Sequence, residues 1–280
     1  MNIIITTDST CDLPAALVAD HQIYVFPLYV VRDGKAYRDG LEIRPQDIFD
    51  HVSAGGDLCT TSAVNLADYM TKFGEFSRRY DAVIHLNITA ESSCCHQNAL
   101  LAAADYPNVY VVDSRNLTCG HGALVLMAKE LANEGMRAEE IVEAVKANVD
   151  NVHTSFLLNQ LEYLRRGGRC STVAALGANL LKLKPVIELK QGKMAVGKKY
   201  RGDFEKNIPI FLRDHLEGVE NLDLRRIYLG CVGLTPEMTQ LAKTEALKLA
   251  DFQEVVVYEP GCTITCHCGP GTLGLVFLTK

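Results

Sequence analysis

Over its first 150 residues the chain alternates short β-branched runs with longer stretches whose apolar positions recur every three to four residues. The first rhythm marks buried strands and the second amphipathic helices. Residues 2–7 read as a buried strand, which Asp8-Ser9-Thr10-Cys11-Asp12 turns into a helix opened by Pro14. Residues 24–31 read as a second strand, Asp33-Gly34-Lys35 as a hairpin turn, and 45–53 as a helix started by Pro45 and ended by Gly55-Gly56. Leu66, Met70, Phe73 and Tyr80 recur at helical spacing behind Asn65, which can cap them. A strand over 82–88 leads through Thr89-Ala90-Glu91-Ser92-Ser93 to a helix ending near Asp105. Another over 108–112 leads through Asp113-Ser114 to a helix starting near Thr118.

Strand, hydroxyl-rich loop and helix thus recur in order, which is the alternation of a parallel sheet covered by helices. Loops after strand C-termini line the ligand crevice of such sheets, so Ser9, Thr61, Ser62, Ser93 and Ser114 are expected to converge. Thr60-Thr61-Ser62 is the densest of these groups, three neutral hydroxyls between a Gly-rich turn and a helix. Hydroxyl donors beside a helix N-terminus suit a carboxylate or phosphate, although the same residues also suit an ordinary helix start.

A helix over 138–149 carries Ile141, Val142, Val145 and Val149 on one stripe, and the pattern changes at Asp150-Asn151. This predicts an N-terminal α/β domain over 1–150 and a C-terminal α+β domain over 151–280. In the second, a strand near 152–158 precedes a short helix stopped by Gly167-Gly168, then a hairpin over 185–200 around Gln191-Gly192-Lys193. Helices from Asp203 and Pro236 flank a strand over 226–232, and strands over 254–258 and 274–278 complete it.

Composition narrows the function. Among 280 residues, 48% are hydrophobic, yet no uncharged apolar run is long enough to span a membrane. The opening residues lack a basic n-region and read as a first strand rather than a signal peptide, which places the protein in the cytoplasm. Ten Cys are too dilute for a disulfide scaffold. Cys94-Cys95-His96 and Cys262 with Cys266-His267-Cys268 are metal-ligand types without C-x2-C spacing, so no metal is expected. The net charge of -6 argues against a nucleic-acid partner. From Arg165 to Lys206, however, eleven Lys and Arg oppose only Glu188, Asp203 and Glu205. That stretch is either a solvated face or a dock for an acidic partner.

The chemistry is more conspicuous for what is missing. There is no G-x-S-x-G elbow, no His beside a candidate Ser, and no dinucleotide or Walker fingerprint. Asp8 and Asp113 each end a strand, where carboxylates serve as general bases or, more commonly, as caps. His121 reads as a hydrogen-bonded structural residue. His267 precedes a Gly-rich turn where backbone can approach a ligand, and both a structural and a ligand-facing role stay open. A mouth of neutral hydroxyls suits binding more than bond-making.

Four segments together resemble the DegV family of bacterial fatty-acid-binding proteins along nearly the whole chain. They are Ile5-Thr6-Thr7-Asp8-Ser9-Thr10-Cys11-Asp12-Leu13-Pro14, Thr61-Ser62, Leu161-Glu162-Tyr163-Leu164-Arg165-Arg166-Gly167-Gly168-Arg169, and His267-Cys268-Gly269-Pro270-Gly271. The resemblance implies a parallel-sheet α/β domain, an α+β domain, and a fatty acid in a buried tunnel near the domain interface. It implies that Thr61, Ser62, Ser93 and His267 attend the carboxylate, and that Arg169 and Arg201 lie near the site or the partner surface. It further implies a binding protein without chemistry of its own or cofactor, presenting its long-chain fatty acid to a separate ATP-dependent fatty acid kinase. The chain departs from the family pattern at Cys94-Cys95, where Gly-Thr is usual, and at Ala63-Val64-Asn65, where Gln-Pro-Ser is usual. Two other readings use the same residues: an enzyme acting on a small phosphorylated or carboxylated metabolite at the hydroxyl-lined crevice, and an interaction protein using the basic stretch.

Overall fold

The computed structural model describes residues 1–171 and 183–280. By contact density the chain separates into two units. One comprises Met1–Arg44, Cys59–Asp150 and Gly261–Thr263, and the other Pro45–Leu58, Asn151–Pro260 and Ile264–Lys280.

The first unit contains strands β1 (Ile3–Asp8), β2 (Tyr24–Phe26), β3 (Tyr29–Arg32), β4 (Lys35–Arg38), β5 (Thr60–Ser62), β6 (Ala82–Asn87) and β7 (Val109–Asp113). Four of them form an all-parallel sheet in the order β2-β1-β6-β7. Every residue of β1 and β6 is buried, which is why both read as continuous β-branched or apolar runs rather than alternating ones. The α/β expectation is met here.

The strand expected over 24–31 is in fact two strands in two sheets. Pro27 offers no N–H, the Leu28 N–H donates to Ser9 Oγ at 3.0 Å, and the Leu28 carbonyl accepts from the Asp39 N–H at 2.8 Å. The chain therefore leaves the parallel sheet after β2, and β3 enters a small antiparallel sheet between β4 and β5. Thr60-Thr61-Ser62 is that third strand, with Thr61 opposite Val30. It does not start the next helix. The helix that follows, α3 (Leu66–Arg79), is capped by Asn65, whose side chain accepts from the Asp68 N–H at 2.9 Å.

The helices of the chain up to this point are α1 (Ala15–Asp20), α2 (Pro45–Ser53) and α3 (Leu66–Arg79), followed by α4 (Cys95–Ala103), α5 (Thr118–Asn133) and α6 (Ala138–Asn148). On α3 the buried face is Tyr69, Phe73 and Phe76, whereas Leu66 and Met70 of the expected stripe are exposed. The aromatic residues win that face because Phe26, Tyr69, Phe73 and His85 form one cluster of ring contacts under the sheet.

In the second unit, β8 (Val152–Leu158), β9 (Leu183–Lys190), β10 (Lys193–Arg201), β11 (Arg226–Val232), β12 (Glu254–Tyr258) and β13 (Thr272–Leu278) form a mixed sheet in the order β10-β9-β8-β13-β11-β12. All neighbours are antiparallel except β11 and β12. The hairpin turns at Gln191 and Gly192, both at positive φ, as its sequence predicts. Helices α7 (Glu162–Gly167), α8 (Phe204–Leu216) and α9 (Pro236–Leu249) accompany it. Ile208, Phe211 and Leu212 of α8 and Ala242 and Ala246 of α9 join Leu157, Leu229 and Leu275 in its core. A last helix, α10 (Cys262–Cys268), has no counterpart in the sequence reading, because its Cys, Thr and His residues carry no helical apolar period. Among the described residues, no helix is long and apolar enough to cross a membrane.

Candidate functional site

The loops at the C-terminal ends of β1, β6 and β7 do not all face a ligand. Asp8 is fully buried; one carboxylate oxygen accepts from the Thr10 N–H at 3.1 Å and from the Thr10 hydroxyl, the other from the Ile88 N–H at 2.8 Å. It thereby caps the 3-10 turn Ser9–Cys11 and ties it to the end of β6. Asp113 likewise accepts from the Arg115 N–H at 2.8 Å and the Ala90 N–H at 3.3 Å. Asp8 acts as a cap, and Asp113 ties two loops together. Ser114 is buried and bonded to Asn116, and Ser9 donates to Asp39 at 3.1 Å while accepting from Leu28. The five-serine-and-threonine convergence expected from the crevice rule therefore loses Ser9 and Ser114, whose hydroxyls hold loops together.

Thr61, Ser62 and Ser93 remain. Thr61 and Ser93 are half-buried and Ser62 is exposed. Their two segments are joined: Asn98 Nδ2 of α4 donates to the Val64 carbonyl at 2.8 Å, two residues beyond Ser62. Ser93 lies just before α4, its Oγ 3.2 Å from Cys95 Sγ and accepting the Cys95 N–H at 3.2 Å. Cys94, the departure from the family pattern, is exposed beside it, and Cys95 is fully buried.

Beneath these loops lies a polar ladder that sequence reasoning missed. Thr6 Oγ1 and His85 Nδ1 are 2.8 Å apart, and Asn87 Nδ2 donates to His85 Nε2 at 2.8 Å and to Tyr69 Oη at 3.0 Å. Alternate histidine and asparagine in the buried strand Ala82–Asn87 were the available signal. Burial holds the His85 pKa well below 6.5, so the ring is neutral near pH 7. His121 is also buried and bonds Thr7 Oγ1 at 2.9 Å, the structural role its surroundings suggested.

His267, Arg169 and Arg201 belong to the second unit. His267 sits in the last turn of α10 against Gly167, where a Cβ would lie 2.2 Å from its Nδ1. A Cβ on Gly269 would lie 2.5 Å from the Tyr163 ring, and Gln160 Nε2 donates to the Pro270 carbonyl at 3.3 Å. The Asn159 N–H donates to the Gly271 carbonyl at 2.9 Å. The mid-chain and C-terminal segments that carry the resemblance thus interlock, glycine against ring at two places. Arg169 is exposed and donates from Nη1 to the Gly167 carbonyl at 2.8 Å. Burial first, and the Arg169 charge second, lower the His267 pKa to about 4. With no anion beside it, the ring is neutral near pH 7. Arg201 is exposed at the end of β10, its carbonyl accepting from Asn207 Nδ2 at 3.3 Å.

Part of the basic stretch is internally paired: Lys190 with Glu188 at 2.7 Å, Lys198 with Asp214 at 3.1 Å, and Lys184 with the Asn159 carbonyl at 3.0 Å. Lys182 of that stretch lies outside the described residues. Among the described residues, no cluster of three or more His, Cys, Asp or Glu could hold a metal ion.

A fold of this kind, with a parallel-sheet α/β unit and a mixed-sheet unit, is shared with solved proteins described as fatty-acid-binding. A family model described as "Uncharacterised protein, DegV family" matches residues 2–280, and the chain belongs to that family. A DegV domain-containing protein of Caldanaerobacter subterraneus subsp. tengcongensis is 30% identical over 99% of both chains. Among solved structures, a DegV family protein of Thermus thermophilus described for its fatty acid binding is 34% identical, with a TM-score of 0.90 and 100% of each chain covered. DegV of Bacillus subtilis, described as a fatty acid binding protein, is 27% identical, with a TM-score of 0.83 over 100% of each chain.

Proposed function

We propose that this protein binds a long-chain fatty acid in a buried apolar tunnel and presents its carboxylate to a separate ATP-dependent fatty acid kinase. The observation that carries the reading is the full-length likeness to the fatty-acid-binding Thermus thermophilus protein. The half-buried hydroxyls of Thr61 and Ser93, on segments joined through Val64 and Asn98, support a head-group role for Thr61, Ser62 and Ser93. The family resemblance assigns His267, with Arg169 near it, to the carboxylate and Arg201 to the partner surface. A binding role without chemistry of its own is supported by Asp8 and Asp113, the general-base candidates, whose carboxylates accept from backbone N–H groups.

Affinity comes from the tail. Burying about sixteen methylenes at roughly 0.8 kcal/mol each gives a gross term on the order of 12 kcal/mol, from which ordering and immobilisation remove several. A hydroxyl contact to the carboxylate, about 1.5 to 3 kcal/mol, fixes which end faces out. Ser93→Ala and Thr61→Ala are expected to weaken fatty acid binding or acyl phosphate formation with the fold intact, measured by displacement of a fluorescent fatty acid and by a coupled kinase assay. Unchanged behaviour in both variants rejects the head-group assignment. Arg201→Glu is expected to abolish kinase coupling while lipid remains bound; loss of lipid instead makes Arg201 a pocket residue.

A further inference from the structure

Cys95 lies directly against the Ser93 hydroxyl. Its thiol is fully buried and lies 3.2 Å from the Ser93 hydroxyl oxygen. Burial pushes its pKa up to about 12, so the sulfur keeps a proton to give.

Ser93 faces the sulfur at 3.2 Å, and either partner of that pair can donate. Its oxygen also accepts the Cys95 N–H. With no anion present, the Ser93 hydroxyl gives its hydrogen to Sγ. When that hydrogen turns to an arriving carboxylate, the serine oxygen has a lone pair to offer, and the thiol is the group placed to fill it.

We infer that Cys95 is a positioning residue for the head-group hydroxyl: its S–H takes over the bond to Ser93 Oγ when the Ser93 O–H turns to the ligand carboxylate, orienting Ser93 toward acids over uncharged head groups. No covalent bond forms or breaks, and each proton stays on its own atom. The inference rests on the reading of Ser93 as a head-group contact.

The test is the ratio of affinities for oleic acid and oleyl alcohol, measured on the full-length protein by displacement of a fluorescent probe. Wild type is expected to prefer the acid. Cys95→Ala and Cys95→Val, one smaller and one filling the site, both lack a donor and are expected to lose about five-fold of that preference. Cys95→Ser restores the donor and is expected to retain it. In the Ser93→Ala background, Cys95→Ala is expected to cause no further loss. A ratio unchanged in the Ala and Val variants, or a Ser variant as poor as either, overturns the role of Cys95 while leaving fatty acid binding standing. Wild-type protein that binds neither probe overturns the fatty acid reading itself, and this role with it.

Discussion

Gly167 and His267 share one volume. With a Cβ at residue 167 only 2.2 Å from Nδ1, Gly167→Ala forces the imidazole out of its place. The expected cost is about 1–3 kcal/mol in urea unfolding, together with a rise of the His267 pKa toward the ordinary value as the ring gains solvent. The pH dependence has a definite sign. His267 titrates near 4 when folded and near 6.5 when unfolded, so below 6.5 the unfolded chain takes up the proton first. The stability this neutral ring contributes is complete above about pH 6.5 and is lost as the pH falls toward 4, a term on the order of 3 kcal/mol. Asp12, whose carboxyl pKa is raised by burial, works in the opposite direction, so the informative quantity is a difference. Wild type is expected to lose more unfolding free energy than His267→Gln between pH 7 and pH 4.5 in buffered urea titrations; parallel curves refute the buried neutral ring.

The elements differ in how openly the sequence declares them. The strands Ile3–Asp8 and Ala82–Asn87 are legible because both faces are covered and nothing polar is required by solvent. The break between Tyr24–Phe26 and Tyr29–Arg32 is not, since it depends on Ser9 and Asp39 reaching Leu28 from elsewhere in the chain. The edge strand Thr60–Ser62 is too short to show a period of two, and three hydroxyls resemble a loop until Val30 lies opposite. Asn65 was legible as a cap, and its energy is testable: Asn65→Ala is expected to cost about 1 kcal/mol by chemical denaturation, losing the bond to the Asp68 N–H. An exposed control such as Gln240→Ala is expected to change stability by less than about 0.5 kcal/mol.

For the whole molecule, sequence carried the class further than the site. Family membership spans residues 2–280, and the segments that announced it are those packed glycine-to-ring in the second unit and turned by Asp8 in the first. Which hydroxyls are available was not legible, because Ser9, Ser93 and Ser114 look alike in a loop and differ only in what meets them. Asp39 and Leu28 hold the first, Asn116 holds the last, and Ser93 faces the buried Cys95 thiol. The central claim is an alkyl chain held inside the protein by its carboxylate end. Organic extraction of protein purified from bacterial cells, followed by lipid mass spectrometry and checked by native mass spectrometry of the intact complex, tests it most directly. About one long-chain fatty acid per chain is expected; protein that is consistently empty after gentle purification, and takes up neither oleate nor palmitate when they are added, contradicts the claim.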